Sequence, residues 1–358
     1  MEKIISNTPL HTLHKRSGAK MAPFAGYDMP ISYPLGTLKE HLWCRENAGI
    51  FDVSHMGQFM LMGEAGFEYL SNLTPTNFTD KALGKNIYTL LMNEKGGVRD
   101  DLIASRLTEN KIYVVVNAAC KMLDKAYILQ KLPMGLVFEE LTRRALVAIQ
   151  GPKAAEILQR HVCENLNDIP YMSIREMNVA GHACLVSRCG YTGEDGFEIS
   201  VDNDHAEHLW QEFEAHPAVE PIGLAARDSL RLEAGFALYG HDLDETTTPK
   251  EAGLNWVISP NHTNFIGADV LKNPATKKRV GIKLIDKGIA REGSELFNAD
   301  DERIGILTSG GHSPSLKCAI GQGYIDIAYA EIGTEIFVSV RNRKLKAVVQ
   351  GVRFIKRK

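Results

Sequence analysis

Three apolar runs set close together constrain this chain more than any other feature. "IYTLLM" (87–92), the run from Val98 to Leu107 and "KIYVVVN" (111–117) are separated only by "NEKGG" and "TEN". Short turns rich in Asn and Gly between strand-like runs predict an antiparallel meander. The flanks add helices. "TLKEHLWCREN" (37–47) reads as a helix closed by "NAG", "MGQFMLMG" (56–63) as a strand, and "EAGFEYLSNL" (64–73) as a helix. Residues 118–132 form an amphipathic helical pattern after the meander.

A similar order follows. Strand 145–150, helix 152–160, strands within 174–188, the tight turn "CGYTGEDG", strand 197–201 and helix 203–215 come in turn. "IGLAARDSLRLEAG" (222–235) is a helix that ends at Gly235. Two successive sheet-with-helix units predict an α+β fold with antiparallel sheets. Beyond about residue 278 the pattern is strand and Gly-rich turn alone, which predicts a separate β-barrel or sandwich over 279–358. "NPATKK" (273–278) reads as the linker from the region 1–272.

The meander carries an oddity in "NEKGGVRDDLIA". Asp is a poor strand former, so Asp100 and Asp101 are either solvated or used. Successive strand residues point to opposite faces, which argues against a dyad sharing one proton. Periodicity alone does not choose between them. A carboxyl with an ordinary pKa near ~3.9 is ionised at pH 7 without help.

Composition excludes several classes. The 358 residues hold 41 Lys+Arg and 44 Asp+Glu, a net charge of −3. No basic excess points to nucleic acid. The exception is the C-terminus, where Arg341, Arg343, Lys344, Lys346, Arg353, Lys356, Arg357 and Lys358 occur without an acid. The N-terminus lacks a secretory apolar region, and the most apolar run, 112–120, is too short to span a bilayer. A cytoplasmic protein is expected. The six cysteines form no CxxC, and Cys184/Cys189 have no second pair to complete a zinc site. His11/His14 and His205/His208 have helical i, i+3 spacing but no evident third ligand, so they read as solvent-exposed helix histidines and no metal is expected. Walker A, GxGxxG and GxSxG patterns are all missing.

What remains is a set of long, unusual strings. "FDVSHM", "NEKGGVRDDLI", "RCGYTGEDGFEIS" and "AARDSLRLEAGFALYGHDLDETTTP" together resemble the aminomethyltransferases, or T-proteins, of glycine cleavage systems. The likeness runs from "NTPLHTLHKRSGAKMAPFAGYDMPISY" to "IGILTSGGHSPSL", almost the whole chain. It implies three domains in a trefoil around a central channel, two of them intertwined folate-binding α+β domains and the third the C-terminal barrel. It implies tetrahydrofolate as one-carbon acceptor and the lipoylated H-protein as partner, with no metal. The implied reaction moves the methylene of an aminomethyl group from lipoyl sulfur to tetrahydrofolate, giving 5,10-methylenetetrahydrofolate, ammonia and dihydrolipoyl H-protein.

By the same resemblance Asp101 matches the catalytic aspartate. Met56, Tyr88, Val115, Asn117, Tyr191 and Glu198 match pterin-side contacts, and Arg227 matches the arginine that binds the folate tail. Tyr113, Tyr239 and Trp256 fall in matching strings and are expected to line the pocket. Near the C-terminus "VRFIK" places Arg353 where some relatives carry a proline, with Lys356 at the later contact position.

The residue types suit the ligand. Aromatics and Met56 suit a flat heterocycle, a carboxylate at 198 suits its N–H donors, and a guanidinium suits a carboxylate tail. A basic C-terminal strand would help steer an acidic H-protein. The alternatives are another folate-dependent demethylase of the same superfamily, or a non-catalytic folate-binding protein. The flavin domain usual in the dimethylglycine and sarcosine enzymes is absent from this sequence. So is the Lys-Gly-Cys motif of the iron–sulfur assembly relative, where "SRCGYTG" stands instead.

Overall fold

The computed structural model describes residues 5–341 and 343–356. Arg357 and Lys358 of the basic tail lie outside them. The chain opens with α1 (His11–Arg16), the hairpin β1 (Lys20–Phe24) and β2 (Tyr27–Ser32), α2 (Thr37–Glu46), β3 (Ala48–Asp52) and β4 (Gly57–Met62). Then follow α3 (Gly66–Leu73), β5 (Asn86–Met92), β6 (Val98–Thr108), β7 (Lys111–Val116), α4 (Lys121–Gln130), β8 (Val137–Glu140) and β9 (Arg144–Gln150). The second half holds α5 (Ala154–Gln159), β10 (Ser173–Val179), β11 (His182–Arg188), β12 (Gly196–Asp202), α6 (Ala206–Glu214), β13 (Val219–Pro221) and α7 (Leu224–Ala234). Last come β14 (Lys277–Leu284), β15 (Glu295–Phe297), β16 (Arg303–Ser313), β17 (Cys318–Asp326), β18 (Glu335–Val340) and β19 (Arg343–Gln350).

These strands make the expected α+β architecture. The meander β5-β6-β7 continues through β4 and β8 into a five-stranded antiparallel sheet. A six-stranded sheet runs β10-β11-β12-β9-β3-β13. It is antiparallel except at its edge, where β13 pairs parallel with β3. Intertwining is visible in the strand order. The chain leaves the six-stranded sheet after β3, builds all of the five-stranded sheet, and returns as β9 beside β3. The last six strands close into a barrel. Its first strand begins at Lys277, so Lys277 and Lys278 of the expected linker belong to the barrel.

The three units meet around α7 and the loop that follows it. Arg231 on α7 bonds Asp242 Oδ2 at 2.8 Å and Ser309 Oγ of the barrel at 2.9 Å. Tyr324 of the barrel donates to the Asp242 carbonyl at 2.7 Å. Glu233 accepts from Ser313 Oγ at 2.5 Å and Ser315 Oγ at 2.7 Å, and pairs with His41 of α2 at 3.0 Å. Apart from the exposed Ser315 these groups are largely out of water, where an unpaired polar atom is costly, so the network fixes how the barrel seats on the rest.

The Gly-Gly turn now has a reason. Gly96 takes a left-handed φ of 75°, and a Cβ on Gly97 would sit 1.8 Å from the Glu245 carbonyl oxygen. The turn is pinned from inside by Asn93, whose Oδ1 accepts N–H bonds from Lys95 and Gly97, both at 2.9 Å. It is pinned from outside because Val98 N–H donates to Asp244 O at 3.1 Å. The start of β6 is thus held between its own sheet and the loop after α7.

Two readings of the histidines need correction. His14 is fully buried, pairing with Asp52 at 2.9 Å and Tyr33 at 2.9 Å, while His11 pairs with Asp28 at 2.8 Å. Helical periodicity put them on one face but could not say that this face packs inward. His205 and His208 are exposed as expected, though His208 meets His182 at 3.0 Å.

Candidate active site

Strand register assembles the site. In the five-stranded sheet Tyr88 of β5 lies opposite Ile103, Ile103 opposite Val115, and Val115 opposite Gln58. Residues in register share a face, and so do residues two apart. Tyr88, Asp101, Tyr113 and Val115 therefore project from one side. Asn117 follows the end of β7 on the same side. On the other sheet Glu198 of β12 lies between Ser187 and Ala148. The two faces touch where Ser200 Oγ donates to Gln58 Oε1 at 2.5 Å. Tyr113 donates to the same oxygen at 2.7 Å, and Met56 packs in the apolar layer between the sheets.

Asp101 sits at the upper end of this layer. Its Oδ2 accepts from Tyr88 OH at 3.0 Å, and its Oδ1 from Asn117 Nδ2 at 2.7 Å. Asn117 Nδ2 also reaches Asp100 Oδ1 at 2.8 Å, and Asn117 N–H donates to Asp100 Oδ2 at 2.9 Å. Asp100 is fully buried on the core side, with Leu102 and Ala104. The carboxyls thus point to opposite faces, as expected, and Asp100 takes a backbone donor. Yet one amide reaches around the strand end to hold both.

The surroundings of Asp101 overturn the expectation of an ordinary carboxylate. Burial, reinforced by the charge of Asp100, pushes Asp101 up to about 7, against the hydrogen bonds from Tyr88 and Asn117. A bulge accompanies it. Leu91 pairs with Asp100 and Met92 with Val98, leaving Arg99 as an extra residue beside the site.

A second polar group lies on the facing sheet and α7. Glu198 Oε2 accepts from Cys189 Sγ at 3.6 Å. Burial raises Glu198, and the nearby Arg227 opposes that rise. Arg227 stands 4.8 Å over the Tyr191 ring, and its Nη1 is buried without a partner. Tyr191 stacks on Phe236 at 5.5 Å and donates to Ala237 O at 2.5 Å. His55 is buried nearby, its Nδ1 unpartnered; burial lowers it to about 4, so it is a neutral imidazole.

At the mouth Trp256 is 67% exposed and stacks on Tyr88 at 5.4 Å. The pair borders a cleft of about 260 Å³ that also involves Thr76, Asn86 and Ser259. Tyr239 donates to Val98 O at 3.1 Å, behind the Gly-Gly turn. A larger polar cleft of about 480 Å³, lined by Thr8, Tyr27, Ser54 and Arg144 among others, shares no residue with the Asp101 group.

The structure brings together Met56, Tyr88, Asp101, Tyr113, Val115, Asn117, Tyr191, Glu198, Arg227 and Trp256, with Tyr239 supporting from behind. Lys356 is exposed, and among the described residues no contact links it to the others. The steering strand is also weaker than its sequence implied. Lys344 pairs with Asp301, and Lys346 with Glu335 at 2.7 Å. Acids outside the 341–358 stretch thus offset part of the basic cluster. Gln58, Cys189 and Asp124 escaped the sequence reading. Gln58 lies in a strand pattern with nothing to mark it, and the spacing of Cys189 invites only a metal-ligand reading. Asp124 looks like a solvated helix residue.

No helix among the described residues is long and apolar enough to cross a membrane, and no group of His, Cys, Asp and Glu among them could hold a metal ion.

Residues 10–262 match the GCVT N-terminal domain, and residues 277–356 match the glycine cleavage T-protein C-terminal barrel domain. The chain is 42% identical to an aminomethyltransferase of Phocaeicola vulgatus, over 98% of this chain and 100% of that one. It is 38% identical to the mitochondrial aminomethyltransferase of Dictyostelium discoideum, over 98% and 93%. The crystal structure of glycine cleavage system aminomethyltransferase T from Bartonella henselae superposes with a TM-score of 0.94, at 37% identity and 99% coverage of each chain. With family models matching residues 10–262 and 277–356, the chain belongs to the glycine cleavage T-protein family of aminomethyltransferases.

Proposed function

We propose that this enzyme transfers the methylene of an aminomethyl group, carried on the lipoyl sulfur of an H-protein, to tetrahydrofolate. The sulfur–carbon and carbon–nitrogen bonds break, and two carbon–nitrogen bonds to the folate form. The two folate N–H protons end on sulfur and on ammonia, giving a thiol and ammonium. The observation that carries this reading is a half-buried Asp101, held by Tyr88 and Asn117, facing the layer that also holds Glu198 and Arg227.

The residues divide the work. Glu198 accepts from N–H groups on the edge of the heterocycle. Arg227 has a free, buried Nη1 beside Glu198, so its acceptor lies on the same end of the ligand. That placement favours a heterocycle oxygen over the tail carboxylate expected from the resemblance. Tyr191, Tyr88, Trp256, Val115 and Met56 offer flat or soft apolar surface. Asp101, ionised, stabilises the cationic carbon as ammonia departs and accepts a folate proton. A value near 7 suits both roles at neutral pH.

The described cysteines are all unpaired, which fits a reducing compartment, and we place the enzyme in the cytoplasm. Cell fractionation tests the location. The activity is tested by mixing the protein with aminomethylated H-protein and tetrahydrofolate. Ammonium and 5,10-methylenetetrahydrofolate are expected in equal amounts. Folate binding without either product would leave a non-catalytic binder.

A further inference from the structure

Asp124 lies one turn into α4, where its N–H bonds the Cys120 carbonyl at 2.9 Å. Its side chain turns inward beneath β6 and is only 2% exposed. Its Oδ2 has no hydrogen-bond partner. Its carboxyl meets that of Asp100. The other groups facing it are Asp101 and Arg99 of β6, Cys120 at the start of α4, and Tyr239 from the loop after α7. Arg99 does not neutralise it. That guanidinium stacks 4.2 Å over the Tyr127 ring and is 3.5 Å from Glu245.

Two carboxylates in contact away from water cannot both stay charged, because repulsion adds to the cost of desolvation. The donors decide which one keeps the proton. Asp100 already accepts the Asn117 N–H and side-chain amide, one on each oxygen. No N–H or O–H from another residue serves Asp124 Oδ2. Asp100 is therefore the anion and Asp124 the acid.

We propose that Asp124 is a neutral carboxylic acid that donates to Asp100 and, through Asp100 and Asn117, positions Asp101. This rests on Asp101 being the catalytic carboxylate. The direction of titration agrees: burial and the charge of Asp100 push Asp124 up to about 10. The arrangement has two consequences for Asp101. The anion at Asp100 keeps Asn117 oriented, so the Asn117 amide points at Asp101 Oδ1. The same anion supplies the repulsion that holds Asp101 near neutrality. No proton leaves the pair during turnover; Asp124 acts by position and by charge.

Asp124→Asn keeps a neutral donor, and Asp124→Leu removes it at similar size. The Asn variant should keep kcat within about threefold of the parent, as a preserved hydrogen bond allows. The Leu variant should lose at least about tenfold in kcat, with the folate KM little changed, as for a network that loses a member. Its acid limb in kcat/KM should also move to lower pH, because Asp100 without its donor takes up a proton and stops repelling Asp101. Equal losses in both variants, or an unmoved limb in the Leu variant, overturn the proposal. Infrared difference spectra give a readout independent of catalysis. The parent at pH 8 should show the carbonyl stretch of a buried protonated carboxyl, and Asp124→Asn should lack it. A parent without that band also overturns it. Full activity of Asp101→Asn would instead remove the catalytic reading and leave the infrared result standing.

Discussion

Replacing Asp100 by Asn should shift the pH dependence of catalysis. The two carboxyls share one amide nitrogen, at 2.8 Å from Asp100 Oδ1 and 2.7 Å from Asp101 Oδ1. Those oxygens are thus roughly 5 Å apart, and two unit charges at that distance repel by ~3 kcal/mol with an effective dielectric near ~20. At ~1.4 kcal/mol per pKa unit this is about two units. Some of it is already relieved by the proton shared with Asp124, so a drop of roughly one to two units is expected for Asp101 in Asp100→Asn. The sign is fixed. Asp101 is raised to about 7 in the parent, so activity that needs its anion falls as pH drops through 7. In the variant the same fall should come at more acid pH. The assay is kcat/KM for methylenetetrahydrofolate formation from pH 5 to 9, with thermal unfolding followed in parallel, because Asn also presents an amide to the Asn117 donors. A limb that stays near 7 in the variant refutes the coupling. A parent with no limb in this range refutes the catalytic anion itself.

Asp101→Asn should cut kcat by at least about 10²-fold with folate binding retained, the usual loss for one preorganised charge; stopped-flow turnover beside folate titration checks this. Arg227→Ala should raise the folate KM by roughly ten- to a hundredfold, a loss of ~1.5–3 kcal/mol for a charge-assisted bond, and unfolding without a change in KM would make the residue structural. Acid stability should depend on Glu233. Burial raises its pKa, but His41, Ser313 and Ser315 outweigh burial and hold it at about 2. Its contribution is therefore complete above its unfolded value near ~4.5 and lost as pH falls toward about 2, on the order of 3 kcal/mol in all. Denaturant melts at pH 7 and 3 should show a flatter pH slope for Glu233→Gln than for the parent. Neutralising Lys344, Lys346 and Lys356 together should change the salt dependence of H-protein use little, since two of the three are already paired; a clear flattening would restore the steering role.

The sheets were legible because their strands are separated by strong turn chemistry. "NEKGG" and "TEN" fix antiparallel neighbours over 86–116, and Gly235 ends α7 with a left-handed φ of 83°. The hairpin "KMAPFAGYDMPIS" was missed, since Pro and Gly break its alternation, although Ala25 and Gly26 take the positive φ that closes it. The edge strand "VEP" was too short to register. Its parallel pairing with β3 joins residues about 170 positions apart, beyond the reach of local pattern.

The site was legible as a set of strings and not as an electrostatic unit. Alternation correctly sent Asp100 and Asp101 to opposite faces, and by that logic they should titrate independently. Their linked titration comes from burial and from the repulsion of the two carboxyls, while Asn117, past the end of a neighbouring strand, bonds both and eases it. Beneath Asp100 lies Asp124, whose charge reads as a solvated position in the amphipathic pattern of α4 but whose side chain is buried in the fold. Periodicity describes a side chain's direction relative to its own element. A pKa depends on what other elements bring within a few ångströms. Two of the groups that set the pKa of Asp101, Tyr88 and Asn117, could be named from the strings. Of the two that most oppose its charge, the burial created by packing the two sheets face to face arises only on folding, and the repulsion from its neighbour Asp100 gains its strength only in that buried setting. An enzyme in this position can retune its central carboxylate without touching the ligand-facing residues, by changing what lies under β6.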